Sequence, residues 1–370
     1  MMKYFGKFTS NTTASTQNQH IFYSNGEIRT SRVFYKITAG GEYGYSLLFS
    51  NITDSTYSDG KLSHANLVCR PWEIHSARMG RCPGNIDFGG DITETAELNG
   101  AVTDWKDITF EGCTAKHVAP GEFFATDSVT MDFETGDYLC LEMTYSGTVM
   151  PYHEEVIIPV FAKADGGWVF DKKMPLPGMV GCDRDVQKKI VYLGDSITQG
   201  IGTAMNSYTH WNAVLAEKIG NGYSHWNAGI GFARAMDTAS DGAWMYKVKH
   251  SDIIVCCIGA NDVLQNQPEE QIRRDVGKTV DYLVRDGRTV VLQTIPPFEY
   301  AEQHIPVWER LNEMIKTELA DKVAMVFDVG AAIGQPDTPH APIYGGHPNA
   351  EGCRIWGEKL YAAMVKNGIV

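Results

Sequence analysis

The chain has 370 residues, of which 43% are hydrophobic and 21% charged, the balance of a globular protein long enough for two domains. Its formal net charge of -13 disfavours nucleic acid and anionic membrane surfaces as partners, because binding either one requires clustered Lys and Arg. No apolar run is long enough to span a bilayer, so we expect neither a nucleic-acid nor a membrane partner.

The N-terminal residues MMKYFGKFTSNTTASTQNQH lack the apolar core of a secretion signal. This favours a cytoplasmic protein, and the alternative is a secreted protein whose leader has been removed. The eight cysteines form no CxxC pair and no Cys/His group with zinc-ligand spacing. We therefore expect free thiols in a reducing compartment, with a Cys69–Cys82 disulfide as the alternative.

Residues 1–175 are predicted to form an all-β domain, because short apolar and aromatic segments are separated by Gly, Asp, Asn and Pro. SRVFYKITAGGEYGYSLLFSN predicts a strand, a Gly-Gly turn and a second strand, and SVTMDF, DYLCLEMTYS and EEVIIPVFA predict further strands. Many short strands without helix-period segments indicate a β-sandwich of jelly-roll type. The polar segment 176–189, which contains Pro and Gly, is predicted to be a linker to a second domain at 190–370.

The second domain alternates apolar runs with segments of helical period. The predicted strands are KIVYLG, YSHWNAG, DIIVCCIG, RTVVLQTIP and VAMVFDVG. Segments with apolar residues at three-and-four spacing lie between them, and one more, NAEGCRIWGEKLYAAMVKNG, closes the chain. This alternation predicts an α/β fold, a parallel sheet with helices on both faces. In such sheets the reactive groups gather at the carboxyl ends of the strands.

The ends of these predicted strands carry the groups that acyl transfer needs. GDSITQG follows the first strand and contains Ser196, NAGIGF follows the second and contains Gly231, and GAND follows the third and contains Asn261. The loop GGHPNAEG before the last helix supplies His347. A serine hydroxyl is a weak nucleophile that needs a base, and the pKa of histidine suits that role. The backbone N–H groups of Ser196 and Gly231 and the Asn261 amide are candidate donors to the oxyanion.

These blocks resemble those of the SGNH (GDSL-type) hydrolase family, whose signature residues are Ser, Gly, Asn and His in that chain order. GDSITQG matches the serine block, NAGIG the glycine block, GAND the asparagine block and HPNAEG the histidine block, and TIPPF after the fourth strand is also typical of the family. The resemblance implies that Ser196 is the nucleophile, His347 the base, and Gly231 and Asn261 oxyanion donors. It also implies a three-layer α/β/α, flavodoxin-like catalytic domain that needs no metal or organic cofactor.

The histidine block departs from the family pattern, because Tyr344 stands where most members have an Asp three residues before the histidine. A neutral phenol cannot stabilise an imidazolium as a carboxylate does. Three interpretations follow: His347 leans on a backbone carbonyl such as that of Tyr344, Asp337 or Asp328 reaches in from elsewhere, or DTPH supplies the pair Asp337 and His340. We favour His347, because HPNAEG immediately precedes a helix as the family requires.

The glycine block also departs from the pattern, since family members often have a second Gly where this chain has Phe232. The backbone N–H that donates to the oxyanion therefore belongs to either Gly231 or Phe232. Because the role is a backbone one, a Phe side chain does not exclude it. Asp195 is expected to cap the turn beside the serine, and Asp262 to brace the asparagine loop.

The first half of the chain is similar to the β-sandwich that precedes some SGNH catalytic domains, among them those of carbohydrate deacetylases. The combination implies a serine esterase that hydrolyses small acyl esters, acetyl esters above all, on carbohydrates through an acyl-serine intermediate. Its expected partner is thus a small acylated substrate. Two alternatives fit the same residues: an acyltransferase on the same scaffold, and a glycan-binding protein whose catalysis is weak or lost.

Overall fold

The computed structural model describes residues 2–55, 66–86, 88, 101–165 and 167–370. The chain divides into two compact units, an N-terminal unit of residues 1–186 and a C-terminal unit of residues 187–370. This division falls inside the segment 176–189 that the sequence predicts as a linker. That segment is more ordered than a linker, because Met179–Cys182 forms a strand with every residue buried.

The described part of the N-terminal unit is built from strands after one short helix, α1 (Met2–Lys7). The strands are β1 (Thr9–Thr12), β2 (His20–Tyr23), β3 (Arg29–Lys36), β4 (Gly41–Ser50), β5 (Trp72–Cys82), β6 (Thr103–Ile108), β7 (Lys116–Val118), β8 (Phe123–Ala125), β9 (Val129–Phe133), β10 (Tyr138–Gly147), β11 (Val149–Tyr152), β12 (Val160–Ala164), β13 (Gly167–Phe170) and β14 (Met179–Cys182). The predicted strand EEVIIPVFA begins only at Val160, because Pro159 has no N–H to offer a neighbouring strand.

Most of these strands belong to two antiparallel arrangements. One has the order β13-β12-β3-β10-β5-β6 with β7 also paired to β5, and the other has the order β1-β14-β4-β8 with β9 also paired to β4. A separate ribbon joins β2 and β11. The strands β3 and β4, which flank the predicted Gly-Gly turn, belong to different arrangements. Their apolar residues, such as Val33 and Leu47, are fully buried, so the N-terminal unit has its own core.

The C-terminal unit alternates strands and helices, and each strand predicted from the sequence is present. The strands are β15 (Lys189–Gly194), β16 (Ser224–Asn227), β17 (Ile253–Cys257), β18 (Thr289–Gln293) and β19 (Met325–Phe327). The helices are α2 (Ser196–Gln199), α3 (Trp211–Ile219), α4 (Ala235–Thr238), α5 (Ala243–Val248), α6 (Ala260–Leu264), α7 (Glu269–Leu283), α8 (Ile305–Thr317), α9 (Val329–Ile333) and α10 (Ala350–Lys366), with 3-10 turns at Arg285–Gly287 and Ala320–Lys322.

The five strands of the C-terminal unit lie in the order β16-β15-β17-β18-β19, and every neighbouring pair is parallel. Tyr192 of β15 packs in one core cluster with Trp211 of α3 and Trp356 of α10, and the two indole rings stack at 5.1 Å. Val191 and Leu193, which alternate with Tyr192 along β15, are also fully buried. Both faces of β15 are therefore covered, as expected for a parallel sheet.

The cysteines are free thiols, so the alternative of a Cys69–Cys82 disulfide is not realised. Cys256 and Cys257 are buried in β17, where they act as small core residues. Within the described ranges, no helix is long and apolar enough to cross a membrane.

Candidate active site

The Ser196 hydroxyl is presented by a sharp turn at the carboxyl end of β15. The strand ends at Gly194, and Ser196 is already the first residue of α2. Asp195 caps this helix, because its carboxylate accepts a hydrogen bond from the N–H of Ile197 at 3.0 Å. Asp195 is thus engaged by the backbone, as its position in the sequence predicts, and the cap fixes the direction in which the helix leaves the strand.

The tightness of this turn depends on the glycine that ends the strand. A Cβ at Gly194 would overlap the hydroxyl of Thr198 and the carbonyl oxygen of Cys257. Since Cys257 is the register partner of Gly194 on β17, the first turn of α2 lies directly over the end of the neighbouring strand. Ser196 therefore lies at the sheet edge where reactive groups of parallel sheets gather.

The imidazole of His347 contacts the hydroxyl of Ser196, although 151 residues separate them in the chain. Ser196 Oγ and His347 Nε2 are 2.8 Å apart, the distance of a nucleophile and its base. Burial lowers the pKa of His347 below its ordinary value of 6.5, while the negative charge of Glu299 acts in the opposite direction. The imidazole is therefore neutral near pH 7 and can accept a proton from the hydroxyl.

His347 is held in the loop that precedes α10. Asn349 caps that helix by accepting hydrogen bonds from the N–H groups of Glu351 and Gly352, at 3.1 and 3.0 Å. The ring of Phe298 stands edge-on to the imidazole, with centroids 5.3 Å apart and planes at 79°. The helix cap thus fixes the backbone after His347, and the Phe298 ring packs against its imidazole.

The residues predicted as a third catalytic member lie in other environments. Asp337 is exposed in the loop after α9. Asp328 caps α9 by accepting the N–H of Ala331 at 3.1 Å, and the carbonyl of Tyr344 accepts the N–H of Asn349 at 3.1 Å. The Asp328 carboxylate and the Tyr344 carbonyl therefore already serve the local backbone.

The alternative histidine of the DTPH segment also has a different neighbourhood. The ring of His340 packs against Trp308, with centroids 6.1 Å apart, and its carbonyl accepts the N–H of Phe298 at 3.2 Å. The structure thus brings His347 to Ser196, while His340 packs beside α8.

A carboxylate that the sequence analysis did not single out lies next to the histidine. Glu299 Oε1 accepts a hydrogen bond from the backbone N–H of Gly346, the residue before His347, at 3.0 Å. The sequence placed TIPPF at the end of β18, and Glu299 is the next residue. In the sequence, only its position after a strand end could have marked Glu299 as a site residue. Its contact with Gly346 spans 47 residues, and local sequence pattern does not reveal such a pairing.

The loop after β16 brings the glycine block to the same edge, since the N–H of Ile230 donates to the carbonyl of Gly194 at 3.0 Å. The N–H of Gly231 donates to Oε1 of Gln199 at 2.8 Å, and Gln199 is fully buried. The predicted donor Gly231 is therefore directed at a side chain of α2. Phe232 has a φ of 62°, the left-handed region that glycine adopts most readily.

The asparagine block contacts the same loop. Asn261 lies in the first turn of α6, and its Nδ2 donates to the carbonyl of Ala233 at 2.9 Å. The next residue, Asp262, is buried and accepts the N–H of Ala235 at 2.8 Å. Burial raises the pKa of Asp262 to about 7. These two bonds fix the start of α6 to the loop of the glycine block.

Residues 192–355 match the GDSL-like Lipase/Acylhydrolase family. The matched range includes Ser196, Asn261 and His347, and so covers the site described above. A comparison with curated protein sequences gives no match.

Solved structures similar to this chain include a putative lipolytic protein of the G-D-S-L family from Desulfitobacterium hafniense DCB-2, at 20% identity and a TM-score of 0.41, which covers 48% of this chain and 98% of its own. A carbohydrate acetylesterase family member from Sinorhizobium meliloti has 20% identity and a TM-score of 0.37, covering 49% of this chain and 99% of its own. An active-site mutant of a family two carbohydrate esterase from Clostridium thermocellum has 12% identity and a TM-score of 0.39, covering 95% of this chain and 94% of its own.

Proposed function

We propose that this protein, whose residues 192–355 form a hydrolase domain of the GDSL-like lipase/acylhydrolase family, removes small acyl groups, acetyl above all, from carbohydrate esters. The observation that carries the proposal is the 2.8 Å contact between Ser196 Oγ and His347 Nε2. A nucleophile and a base at this distance are the minimum that acyl transfer to a serine requires.

The chemistry follows from this contact in two halves. Ser196 Oγ attacks the ester carbonyl carbon while His347 Nε2 takes its proton, and the carbonyl oxygen becomes an oxyanion. The tetrahedral intermediate collapses, the bond to the sugar oxygen breaks, and His347 returns the proton to that oxygen. Water then attacks the acyl-serine with His347 as base, and collapse releases the carboxylic acid and restores Ser196.

The oxyanion is stabilised by donors from three strand ends. The N–H of Ser196 lies at the start of α2, and the amide of Asn261 has a second N–H beyond the one that Ala233 accepts. For the glycine block we favour the N–H of Phe232 over that of Gly231. The Gly231 N–H donates to Gln199, and Phe232 has a left-handed backbone, which suits the position where the family pattern often has a second Gly. Each such donor contributes roughly 3 kcal/mol to catalysis.

The carbohydrate part of the proposal rests on the resemblance of the first half of the chain to the sandwiches that precede some carbohydrate deacetylases. The proposal also includes a fold for each half of the chain, namely a jelly-roll for the first half and a three-layer, flavodoxin-like arrangement for the second. The two antiparallel arrangements of the N-terminal unit support the first, and the parallel order β16-β15-β17-β18-β19 supports the second.

The catalytic part is tested with Ser196→Ala and His347→Ala on p-nitrophenyl acetate. We expect kcat/KM to fall by about a thousandfold or more in each variant, because nucleophile and base act as one unit. Ser240→Ala, an exposed serine of the same unit, is the matched control and should keep wild-type activity. Full activity in Ser196→Ala would refute the assignment.

The substrate part is tested by measuring kcat/KM for a panel of acetylated oligosaccharides, for the same sugars with longer acyl chains, and for aryl acetates. We expect acetylated sugars to be preferred, with acetate released in step with the free sugar. A preference for long acyl chains would contradict the proposal. Adding alcohol and sugar acceptors to the same assay identifies an acyltransferase, because acylated acceptor would then form at the expense of free acetate.

A further inference from the structure

The family pattern places an aspartate three residues before the histidine, but this chain has Tyr344 there. The Tyr344 side chain and carbonyl are both engaged elsewhere. Tyr344 packs its side chain against α10, since a Cβ at Gly352 would overlap the Cβ and ring of Tyr344. Its carbonyl accepts the N–H of Asn349. An imidazolium formed during catalysis therefore needs its compensating charge from another element.

The loop after β18, which is distant from His347 in the sequence, contacts the histidine and the residue before it. Phe298 places its ring edge-on to the His347 ring, and the adjacent Glu299 accepts the N–H of Gly346 at 3.0 Å. A Cβ at Gly346 would overlap Glu299 Oε2 and the ring of Phe298, so both side chains lie directly on the peptide that precedes the histidine.

This loop is held firmly enough to position a charge. The N–H of Phe298 donates to the carbonyl of His340 at 3.2 Å, which joins the loop to the segment that leads to His347. The buried hydroxyl of Tyr300 donates to the carbonyl of Pro296 at 3.1 Å and closes the loop on itself. Glu299 therefore stands between two fixed residues.

We propose that Glu299 is a positioning residue that replaces the absent aspartate: it braces the peptide before His347 and supplies the negative charge that stabilises the protonated imidazole. This inference rests on the proposed function, because an imidazolium forms only if His347 acts as the base. Glu299 touches neither the substrate nor Ser196 in this role and acts through His347.

The electrostatics of the site agree with this geometry. Burial lowers the pKa of His347, and among the described residues Glu299 is the charged group that raises it. The carboxylate is exposed to solvent, so its charge is partly screened and its effect is smaller than that of a buried aspartate.

The test compares Glu299→Gln and Glu299→Ala through the pH profile of kcat/KM on p-nitrophenyl acetate. Gln keeps an acceptor for the Gly346 N–H but removes the charge, whereas Ala removes both. We expect Glu299→Gln to lower the plateau by about 3- to 10-fold, the range for one partly screened charge a few ångströms away. We also expect the acid limb to move to lower pH by roughly half a unit to one unit, because the imidazole loses the charge that raises its pKa.

The matched control is Glu302→Gln, an exposed glutamate three residues further along the same loop, which should leave both the plateau and the acid limb unchanged. Wild-type behaviour of Glu299→Gln overturns the inference, and if Glu299→Ala alone is impaired, the side chain only braces the loop. Equal effects of Glu299→Gln and Glu302→Gln also overturn the inference, because the effect would then not depend on the place of Glu299 beside His347. If Ser196→Ala remains active, the proposed function itself fails, whatever the glutamate variants do.

Discussion

Asp262 is a carboxyl group whose ionisation works against the fold that holds it. It is 3% exposed and accepts the N–H of Ala235, which ties α6 to the loop of the glycine block. Burial raises its pKa from 3.8 to about 7, and the nearby charge of Asp237 acts in the same direction. Burial therefore destabilises the charged carboxylate of Asp262, whereas a neutral group, either the protonated acid or an asparagine amide, is accommodated better.

We predict that Asp262→Asn makes the C-terminal unit more stable at high pH than the wild type. Between pH 4 and 7 the folded wild type binds a proton that the unfolded chain has lost, so its free energy of unfolding falls as pH rises. The shift from 3.8 to about 7 corresponds to about 4 kcal/mol. Asn cannot ionise, so the gain of the variant over wild type should grow by that amount from pH 4 to pH 8.

Urea unfolding at several pH values measures this difference, with Asp321→Asn, an exposed aspartate of the same unit, as the control. The control should track the wild type at every pH. A constant offset between Asp262→Asn and the wild type across the range would show that the pKa of Asp262 is the same in the folded and unfolded protein, against the prediction.

At the scale of elements, the site depends on how closely the first turn of α2 approaches the strands. Gly194 allows that approach, because a Cβ would overlap the Thr198 hydroxyl and the Cys257 carbonyl. Gly277, in the middle of α7, has the opposite surroundings, since a Cβ there meets nothing within 4 Å. The two glycines therefore separate a steric requirement from the general effect of glycine in regular structure.

We predict opposite outcomes for Gly194→Ala and Gly277→Ala. Gly277→Ala should raise the free energy of unfolding by about 0.5–1 kcal/mol, because alanine favours the helix interior. Gly194→Ala should lower it by roughly 1–3 kcal/mol, the usual cost of overpacking, and should also reduce kcat by displacing Ser196. Denaturation and p-nitrophenyl acetate assays on both variants measure this. A Gly194→Ala protein as stable and active as wild type would show that the turn relaxes freely.

Much of the element pattern of the C-terminal unit could be predicted from local sequence. The run KIVYLG coincides with β15, because an apolar run ending at a glycine describes a buried strand followed by a turn. The strand β14 inside the predicted linker was missed, since its four residues are held by pairing with β1 and β4, far away in the chain. Local pattern carries no information on such partners.

The residues of the site show the same difference between local patterns, which the sequence reveals, and long-range contacts, which it does not. That Ser196 and His347 lie together could be predicted, because each lies in a short block with its own turn and cap residues. The engagement of Gly231 by Gln199 and of Gly346 by Glu299 could not, because each depends on a side chain from another element, 32 and 47 residues away. Pairings of this kind appear only once the loops are placed in space.

At the scale of the whole molecule, the excess of 45 acidic over 32 basic residues gives a net charge of -13. A protein of this charge repels anions from its surroundings, and the repulsion weakens as salt screens it. A neutral ester approaches Ser196 without this penalty, whereas a negatively charged ester does not. The carboxylate released by hydrolysis is also repelled, which favours its departure.

We therefore predict that the protein hydrolyses the anionic mono-p-nitrophenyl adipate more slowly than its neutral methyl ester, which has nearly the same size. At pH 8 and low salt we expect kcat/KM to differ by about 3- to 10-fold, and the difference to shrink as ionic strength rises towards 0.5 M. The neutral ester is its own control, since its rate should hardly respond to salt. Equal rates for both esters at low salt would mean that local groups at the strand ends, such as helix N-termini and backbone donors, outweigh the field of the whole chain.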